Sequence, residues 1–388
     1  MSRLPIERGM GKKEIMKTVL FTAASMLLLV SVPGRADTES PELVKYRASV
    51  DLAVQRALAF MATLQKPDGS FDDRLLMNAT VGLPGMAYLS AGHTPGQGPY
   101  GKVINRCIDY ILATPMGPGI ANRPTTGQVE GYLARGNPYG RMYSHAIATL
   151  FLCEVSGMVD PERQKKIDAL LPKALKLILT AQAVEKEEHL AGGWRYSPHD
   201  SSSDLSISGW NLMALRSARL NGAPVPAEAV TKAIEFVERC HNPVTGGFDY
   251  QPGSPTAAGP GSPPSPAMSA VGLLCRELCG RHNDEMNRGC GAYLLQLAQG
   301  DGFMFKGSPE EMYMSYGRPY TIYYSSQGMF QLGGKYWAEF APLLYKHLLN
   351  TQGSDGGWNQ VHYGRAYETA MRVLALTVTY RQLPIYQR

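Results

Sequence analysis

The sequence has little excess charge of either sign and no dense block of basic residues. Lys and Arg together number 38 against 33 Asp and Glu, which gives 388 residues a formal net charge of only +5. Proteins that bind nucleic acid concentrate Lys and Arg on one surface, because contacts to phosphate supply much of their affinity. The charge pattern therefore argues against this class, and we predict no nucleic-acid partner.

Motifs that place catalytic or metal-binding side chains at fixed spacings are also absent. The sequence contains no G-x-S-x-G, Walker A or H-E-x-x-H motif and no C-x-x-C pair. A zinc site would need a further cluster of His or Cys at ligand spacing, and we find none beside the six cysteines, which are Cys107, Cys153, Cys240, Cys275, Cys279 and Cys290. Their even number permits disulfides in an exported protein, whereas isolated cysteines are more often small buried side chains. We predict no metal and no cofactor.

The one long apolar run lies near the N-terminus. Residues 18–32, TVLFTAASMLLLVSV, follow three lysines and precede the small residues Gly34 and Ala36. A basic start, an apolar stretch and a small-x-small exit are typical of a secretory signal peptide. We predict a signal peptide over residues 1–36 and a secreted or periplasmic mature protein with no transmembrane segment. An uncleaved anchor is the alternative, although the run is short for a bilayer.

Short turns of glycine and an aromatic residue recur along the chain. They end at Phe71, Trp194, Phe248, Phe303 and Trp358. The last three intervals are 54, 55 and 55 residues, and the first, of 123, is about twice as long. A degenerate turn is therefore expected in the Gly- and Tyr-bearing segment 127–140. Recurrence at a fixed period indicates a repeat architecture, here of six units.

Each turn lies between two kinds of helical pattern. An amphipathic stretch precedes the turn at 50–61, 171–179, 230–237 and 343–348, and a less polar stretch follows it at 144–155, 206–218, 269–278 and 367–379. A helix that is apolar nearly all round needs cover on more than one side. The pattern predicts outer helices that shield a layer of inner helices, and the inner helices line the middle of the molecule.

Stacked helix pairs can form an open solenoid or a closed ring. The repeat is long, and the last apolar helix lacks the polar face that the end of an open array needs for solubility. Both features favour a closed ring. We therefore predict an all-α fold, an α/α toroid of about six helix-pair repeats in a single domain over residues 37–388. The Pro- and Gly-rich segment 251–267 is predicted to be a loop inside the fourth repeat. A two-domain chain divided at this segment is the alternative.

Two segments resemble a motif of squalene-hopene cyclases. QKPDGSF (65–71) and QGSDGGW (352–358) are similar to the Q-x3-G-x-W motif, with Phe allowed at the last position, and segment 204–222 resembles the inner helix that follows it. The Gln amide of this motif can bond exposed backbone at a helix end. The resemblance implies the toroid of terpenoid cyclases and protein prenyltransferases. Complement thioester domains and cobalamin carriers share that fold with unrelated chemistry, so the resemblance concerns fold more than reaction.

The catalytic motifs of these families are missing. The sequence has no D-x-D-D of squalene-hopene cyclases, no D-C-T-A-E of oxidosqualene cyclases and no D-x-C of the prenyltransferase zinc site. The nearest acidic pairs, Asp72 with Asp73 and Asp200 with Asp204, have other spacings. An exported protein is also separated from cytosolic prenyl diphosphates. The known reactions of the families are therefore disfavoured.

Aromatic residues are the candidates for a ligand site. Residues 310–330 form the densest aromatic patch, between a turn and an inner helix, where a toroid opens to its cavity. Tyrosine has an apolar ring and a polar tip, and its ring face can hold an apolar or cationic group. We predict that a hydrophobic small molecule or lipid contacts Tyr143, Trp210, Tyr316, Tyr320, Tyr323, Tyr324 and Tyr367. An ordered loop packed on the rim is the alternative for the patch.

Three histidines, His145, His199 and His362, lie where turns lead into inner helices. A His beside a carboxylate can transfer protons near neutral pH. The catalytic candidates are His145, Asp200, Asp204 and Glu368. Each also has a structural interpretation, and Asp204, in SSSD before an apolar helix, is typical of an N-cap. The leading hypothesis is an exported, non-catalytic binding or scaffold protein with a hydrophobic, Tyr-lined central cavity. The alternative is a cyclase-like or lyase-like enzyme that acts on a lipid or saccharide through acid–base groups at the cavity mouth.

Overall fold

The computed structural model describes residues 41–71, 77–114, 130–134, 141–254, 264–300, 318–359 and 363–387. The described residues all belong to one compact unit. The predicted signal peptide, Tyr316, His362 and the turn at Phe303 lie outside the described residues. Within the described part, no helix is both long enough and apolar enough to cross a membrane.

The described residues form thirteen α-helices and no β-strand. A short helix α1 (Pro41–Val44) precedes six pairs. The outer helices of the pairs are α2 (Arg47–Leu64), α4 (Gly101–Leu112), α6 (Pro161–Gln182), α8 (Ala227–Arg239), α10 (Glu285–Gln299) and α12 (Gly334–Thr351). The inner helices are α3 (Ala79–Ser90), α5 (Arg141–Val155), α7 (Leu205–Leu220), α9 (Pro266–Leu278), α11 (Arg318–Leu332) and α13 (Arg365–Leu376). The prediction of an all-α fold with six helix pairs is confirmed.

The inner helices form a closed ring. Each packs on the next in the order α3, α5, α7, α9, α11, α13, and α13 packs on α3. The outer helix α12 contacts α2 in the same way. The open solenoid is therefore excluded. The ring also continues across the Pro- and Gly-rich segment, because α9 packs on α7 and α11. Helix α9 begins at Pro266, just before the predicted end of that loop.

The two layers follow from the apolar pattern of the sequence. On α2, the six residues of the predicted apolar face are all buried: Val50, Ala53, Val54, Ala57, Leu58 and Met61. Every residue of α3 and α9 is buried, as expected of helices covered on both sides. Small residues let the inner helices approach closely, since a Cβ atom on Gly85 would lie 2.5 Å from the Phe151 ring.

The turn glycines join each repeat to the next. Five of them have a left-handed φ between +79° and +93° and lie against the outer helix of the following repeat: Gly69, Gly131, Gly192, Gly246 and Gly356. Gly131 packs on Lys173 of α6, so the described part of segment 127–140 contains the expected degenerate turn. Gly356, in the last repeat, packs on Arg56 of α2 in the first. The seam, the boundary between the last and first repeats that closes the ring, therefore has the same glycine contact as the boundaries between the other repeats.

Glutamine and tryptophan residues of the turns add hydrogen bonds near these boundaries between repeats. The Gln182 amide donates to the carbonyl oxygens of Gly192, at 2.8 Å, and of Ala229 on α8, at 2.9 Å. Trp194 is buried, and its indole N–H donates to the Ile178 carbonyl oxygen at 2.8 Å. Gln65 and Gln352, the glutamines of the two motif segments, likewise donate to backbone carbonyl oxygens of the neighbouring outer helices, at Val103 and Ala53. All six cysteines are free thiols, and five of them are buried.

Candidate functional site

A cavity of about 200 Å³ lies at the centre of the ring. Its wall contains residues from the first two turns of all six inner helices and one residue that precedes α13: Ala79, Tyr143, Ile147, Ser206, Trp210, Ala267, Met268, Tyr320, Tyr363 and Tyr367. Five of these ten residues are aromatic and none is charged. The helix starts converge here because the outer and inner helices alternate in direction around the ring.

Four of the predicted ligand contacts line this cavity: Tyr143, Trp210, Tyr320 and Tyr367. Tyr323 and Tyr324 do not line it, although they share the face of α11 that carries Tyr320. Residues three and four positions further along a helix point the same way but lie about one turn deeper. Both are buried below the cavity, against Trp210.

The base of the cavity is an aromatic cluster around Trp210. The Tyr323 ring is stacked on the indole with a centroid distance of 5.4 Å and an interplanar angle of 6°. Tyr324 meets the indole edge-on at 5.2 Å, and Tyr320 does so at 6.2 Å. Such offset and edge-on pairs are favoured by the ring quadrupoles. Trp210 is therefore fixed in orientation where it borders the cavity. Tyr363 also lines the cavity but was not among the predicted contacts. Its position at the entry to α13, four residues before the predicted contact Tyr367, is the signal that could have indicated it.

Three of the wall residues, Tyr143, Ser206 and Tyr320, are joined by hydrogen bonds between uncharged groups. The hydroxyls of Tyr143 and Ser206 form a hydrogen bond, and the Tyr320 hydroxyl donates to the Ser206 carbonyl oxygen at 3.0 Å. Burial raises the pKa of Tyr143 and of Tyr367 well above the ordinary tyrosine value. Both hydroxyls therefore stay protonated at neutral pH, and the described part of the wall is amphipathic without carrying charge.

Asp204 lies beside the cavity but does not line it. Its Oδ1 accepts from the Ile207 amide at 2.9 Å, which confirms the predicted N-cap of α7. Its Oδ2 accepts from Arg195 at 3.2 Å, and the Arg195 guanidinium lies over the Tyr196 and Tyr250 rings. Burial raises the pKa of Asp204 to about 6, although the Ile207 amide and Arg195 act in the opposite direction.

The other candidate side chains lie outside the cavity wall. His145 is buried, and its Nδ1 accepts from the Leu133 amide at 3.1 Å, so Nε2 carries the hydrogen and donates to the Ala174 carbonyl oxygen at 3.1 Å. Burial lowers the pKa of His145 to about 4, so the ring is neutral. Glu368 is buried and pairs with Arg372 at 2.6 Å. Asp200 accepts from the Ser197 amide in a partly exposed turn.

The described residues contain no cluster of three or more His, Cys, Asp or Glu side chains that could hold a metal ion. No protein-family model matches the sequence, and no curated protein matches it. Solved structures do match the fold. A variant of the type II terpene cyclase MstE from Scytonema, in complex with merosterolic acid A, superposes with a TM-score of 0.54 at 13% identity, over 88% of this chain and 100% of its own.

The chain has the α/α-toroid fold. The GH76 α-mannanase of Bacteroides thetaiotaomicron also shares it, with a TM-score of 0.53 at 10% identity, over 86% of this chain and 96% of the mannanase. A reducing end xylose-releasing exo-oligoxylanase superposes with a TM-score of 0.51 at 13% identity, over 87% of this chain and 93% of its own. At this identity the likeness concerns the fold, because the toroid carries several unrelated chemistries.

Proposed function

We propose that the protein is exported and binds an uncharged, mainly apolar small molecule in the central cavity. The observation that carries the proposal is the wall, to which all six inner helices contribute and in which half of the residues are aromatic. A charged ligand would lose its hydration without meeting an opposite charge among the described wall residues. An apolar ligand would gain about 25 cal/mol for each Å² that it removes from water.

The size of the cavity narrows the ligand class. An apolar cavity of about 150 Å³ accepts benzene, so the present volume of about 200 Å³ suits one or two aromatic rings or a short isoprenoid chain. The hydroxyls of Tyr143, Tyr320 and Ser206 at the wall would accept or donate a bond to a single alcohol or phenol group on such a ligand. Geraniol represents a short isoprenoid chain with one neutral hydroxyl, and 2-naphthol represents two aromatic rings with one neutral hydroxyl.

Tryptophan fluorescence tests the binding proposal. Among the four tryptophans, Trp210 lines the cavity, whereas Trp194, Trp337 and Trp358 do not. We expect geraniol or 2-naphthol to change the emission saturably in the wild type and in Trp337→Phe, and to produce little change in Trp210→Phe. The variant Ala267→Phe, which fills the cavity, should not bind. Absence of heat by calorimetry for both alcohols, and absence of any small molecule in extracts of the purified protein, would contradict the proposal.

Export has a separate test. The signal-peptide pattern supports cleavage after Ala36, so the mature protein should begin at Asp37. N-terminal sequencing of protein recovered outside the cytoplasm checks this site. Protein that stays in the membrane fraction with residues 18–32 attached would show an anchor, and protein that stays in the cytoplasm with an intact N-terminus would contradict export.

A second candidate function is acid-assisted catalysis in the same cavity. The observation that favours it is Asp204, a buried carboxyl with a pKa raised to about 6, two residues from the wall residue Ser206. A carboxyl in this range can donate a proton near neutral pH. Turnover of geraniol that is lost in Asp204→Asn, which keeps an N-capping side chain, and retained in Asp249→Asn would support an enzyme. Unchanged geraniol after prolonged incubation with the wild type would support binding alone.

A further inference from the structure

The C-terminal segment Leu383–Gln387 covers the end of the ring opposite the cavity. Leu383, Ile385 and Tyr386 are buried there. The segment bonds to the last turns of three inner helices, whereas the cavity is formed by their first turns. Glu154 of α5 accepts from the Ile385 amide at 3.3 Å, Arg216 of α7 donates to the Ile385 carbonyl oxygen at 3.3 Å, and Gln331 of α11 donates to the Tyr386 carbonyl oxygen at 3.1 Å.

Tyr386 reaches from this segment towards the base of the cavity. Its hydroxyl is hydrogen-bonded to the hydroxyl of Tyr323, and both side chains are buried. The Tyr323 ring is in turn stacked on Trp210, almost parallel to it. Trp210 belongs to the cavity wall. One hydrogen bond and one ring stack therefore connect the C-terminal segment with the ligand site.

We propose that Tyr386 is a positioning residue of the cavity, which holds Tyr323 against Trp210 and so sets the depth of the ligand site. A buried hydroxyl without a hydrogen-bond partner costs free energy. Removal of Tyr386 would therefore cause Tyr323 to turn away from its present position. The indole of Trp210 would then lose its stacking partner, and the cavity would extend towards the opposite end of the ring. The effect on ligand binding rests on the proposed function.

Fluorine NMR of ligand-free protein tests the positioning directly. With 5-fluorotryptophan in place of tryptophan, the four tryptophans give four resonances, and Trp210→Phe assigns the one of interest. We expect Tyr386→Ala to shift or broaden the Trp210 resonance and to leave the other three in place, with a smaller change in Tyr386→Phe. The matched control is Tyr380→Phe, because the Tyr380 hydroxyl bonds Asp51 on α2 and has no part in the Trp210 cluster.

Two results would overturn the inference: a Trp210 resonance that stays in place in both Tyr386 variants, and equal shifts of all four resonances, which would indicate general loosening. If Tyr386→Ala does not fold, Tyr386→Phe and the Tyr323→Phe variant provide the same test. Binding gives an independent measurement, with geraniol expected to bind about tenfold more weakly to Tyr386→Ala, a loss of the size found for the minority of side chains that matter most to a binding site.

The two proposals fail in different ways. If geraniol and 2-naphthol do not bind the wild type, the proposed function is contradicted, whereas the fluorine spectra still report whether Tyr386 positions Trp210. If both alcohols bind and the Trp210 resonance does not respond to the Tyr386 variants, only the positioning role is contradicted. Unchanged affinity in Tyr386→Ala would likewise contradict it.

Discussion

The side-chain amide of Gln352 donates a 2.8 Å hydrogen bond to the carbonyl oxygen of Ala53, 299 positions earlier in the chain. The same pairing of a turn glutamine with the next outer helix joins Gln182 to Ala229 inside the ring. Arg56 adds 2.9 Å bonds to the backbone of the last turn. The seam between the last and first repeats is therefore built like the boundaries between the other repeats.

The seam glycine should be intolerant of a side chain. A Cβ atom on Gly356 would lie 2.5 Å from the Arg56 carbonyl oxygen, whereas Gly222, with a similar left-handed φ, has open space around it. Both Gly→Ala variants force a left-handed alanine, which costs about 1–2 kcal/mol. Gly356→Ala should lose about 2–3 kcal/mol more than Gly222→Ala in urea unfolding, because it also separates the repeats. Equal losses would show that the close packing at the seam is dispensable.

The turn tryptophans should be major contributors to stability. Trp194 and Trp358 are buried, and each indole N–H donates to a carbonyl oxygen of its own outer helix. Trp194→Ala or Trp358→Ala should lower the free energy of unfolding by ~3–5 kcal/mol. The exposed Val244 provides a control, since Val244→Ala should change it by less than ~0.5 kcal/mol. A loss of unfolding free energy below ~1 kcal/mol at both tryptophans would mean that the turns contribute little to the packing between repeats.

Removal of the last repeat should damage the whole ring. Without residues 337–388, α3 and α11 would each lose the neighbour that α13 provides, and the central cavity would open to water. We expect the truncated protein to aggregate or to keep its helix content while losing near-UV circular dichroism, as loosely packed states do. An open array would lose only a terminal unit. Cooperative unfolding of the truncated protein near the full-length midpoint would therefore contradict this prediction.

The stability of the protein should depend on Glu154 through neutral pH. Burial raises the pKa of Glu154 to about 7, from an ordinary value of 4.5, although the Ser217 hydroxyl, the Ile385 amide and Arg216 favour the carboxylate. The folded protein therefore holds this proton more tightly than the unfolded chain does. The associated stability is complete below about pH 4.5 and is lost as the pH rises through about 7.

Urea unfolding at several pH values between 5 and 8 measures this dependence. The free energy of unfolding should fall with rising pH in the wild type and fall less in Glu154→Gln. The slope that remains in Glu154→Gln combines the raised pKa of Asp204, which acts in the same direction, with the lowered pKa of His145, which acts in the opposite direction. Glu162→Gln is the control, since Glu162 is exposed and pairs with Lys166 on the surface. A slope that Glu154→Gln leaves unchanged would show that Glu154 does not retain its proton in the folded state.

The local features of the fold could be predicted from the sequence because they depend on near neighbours. The apolar face of α2 follows from the 3.6-residue period, and the cap at Asp204 follows from a polar residue before an apolar helix. The number of repeats follows from the regular return of the turns. Closure could be argued from the apolar last helix, since such a helix needs cover that only another repeat supplies.

The tertiary structure decided which of these residues meet. Residues three and four apart share a helix face, so the sequence could not show that Tyr320 borders the cavity while Tyr323 and Tyr324 lie one turn below it. His145 has both ring nitrogens engaged only because Leu133 and Ala174 pack beside it. Glu154 acquired its raised pKa from burial beneath the C-terminal segment. Depth along a helix axis and contacts between distant residues depend on how the ring packs, and the sequence period carries no information about either.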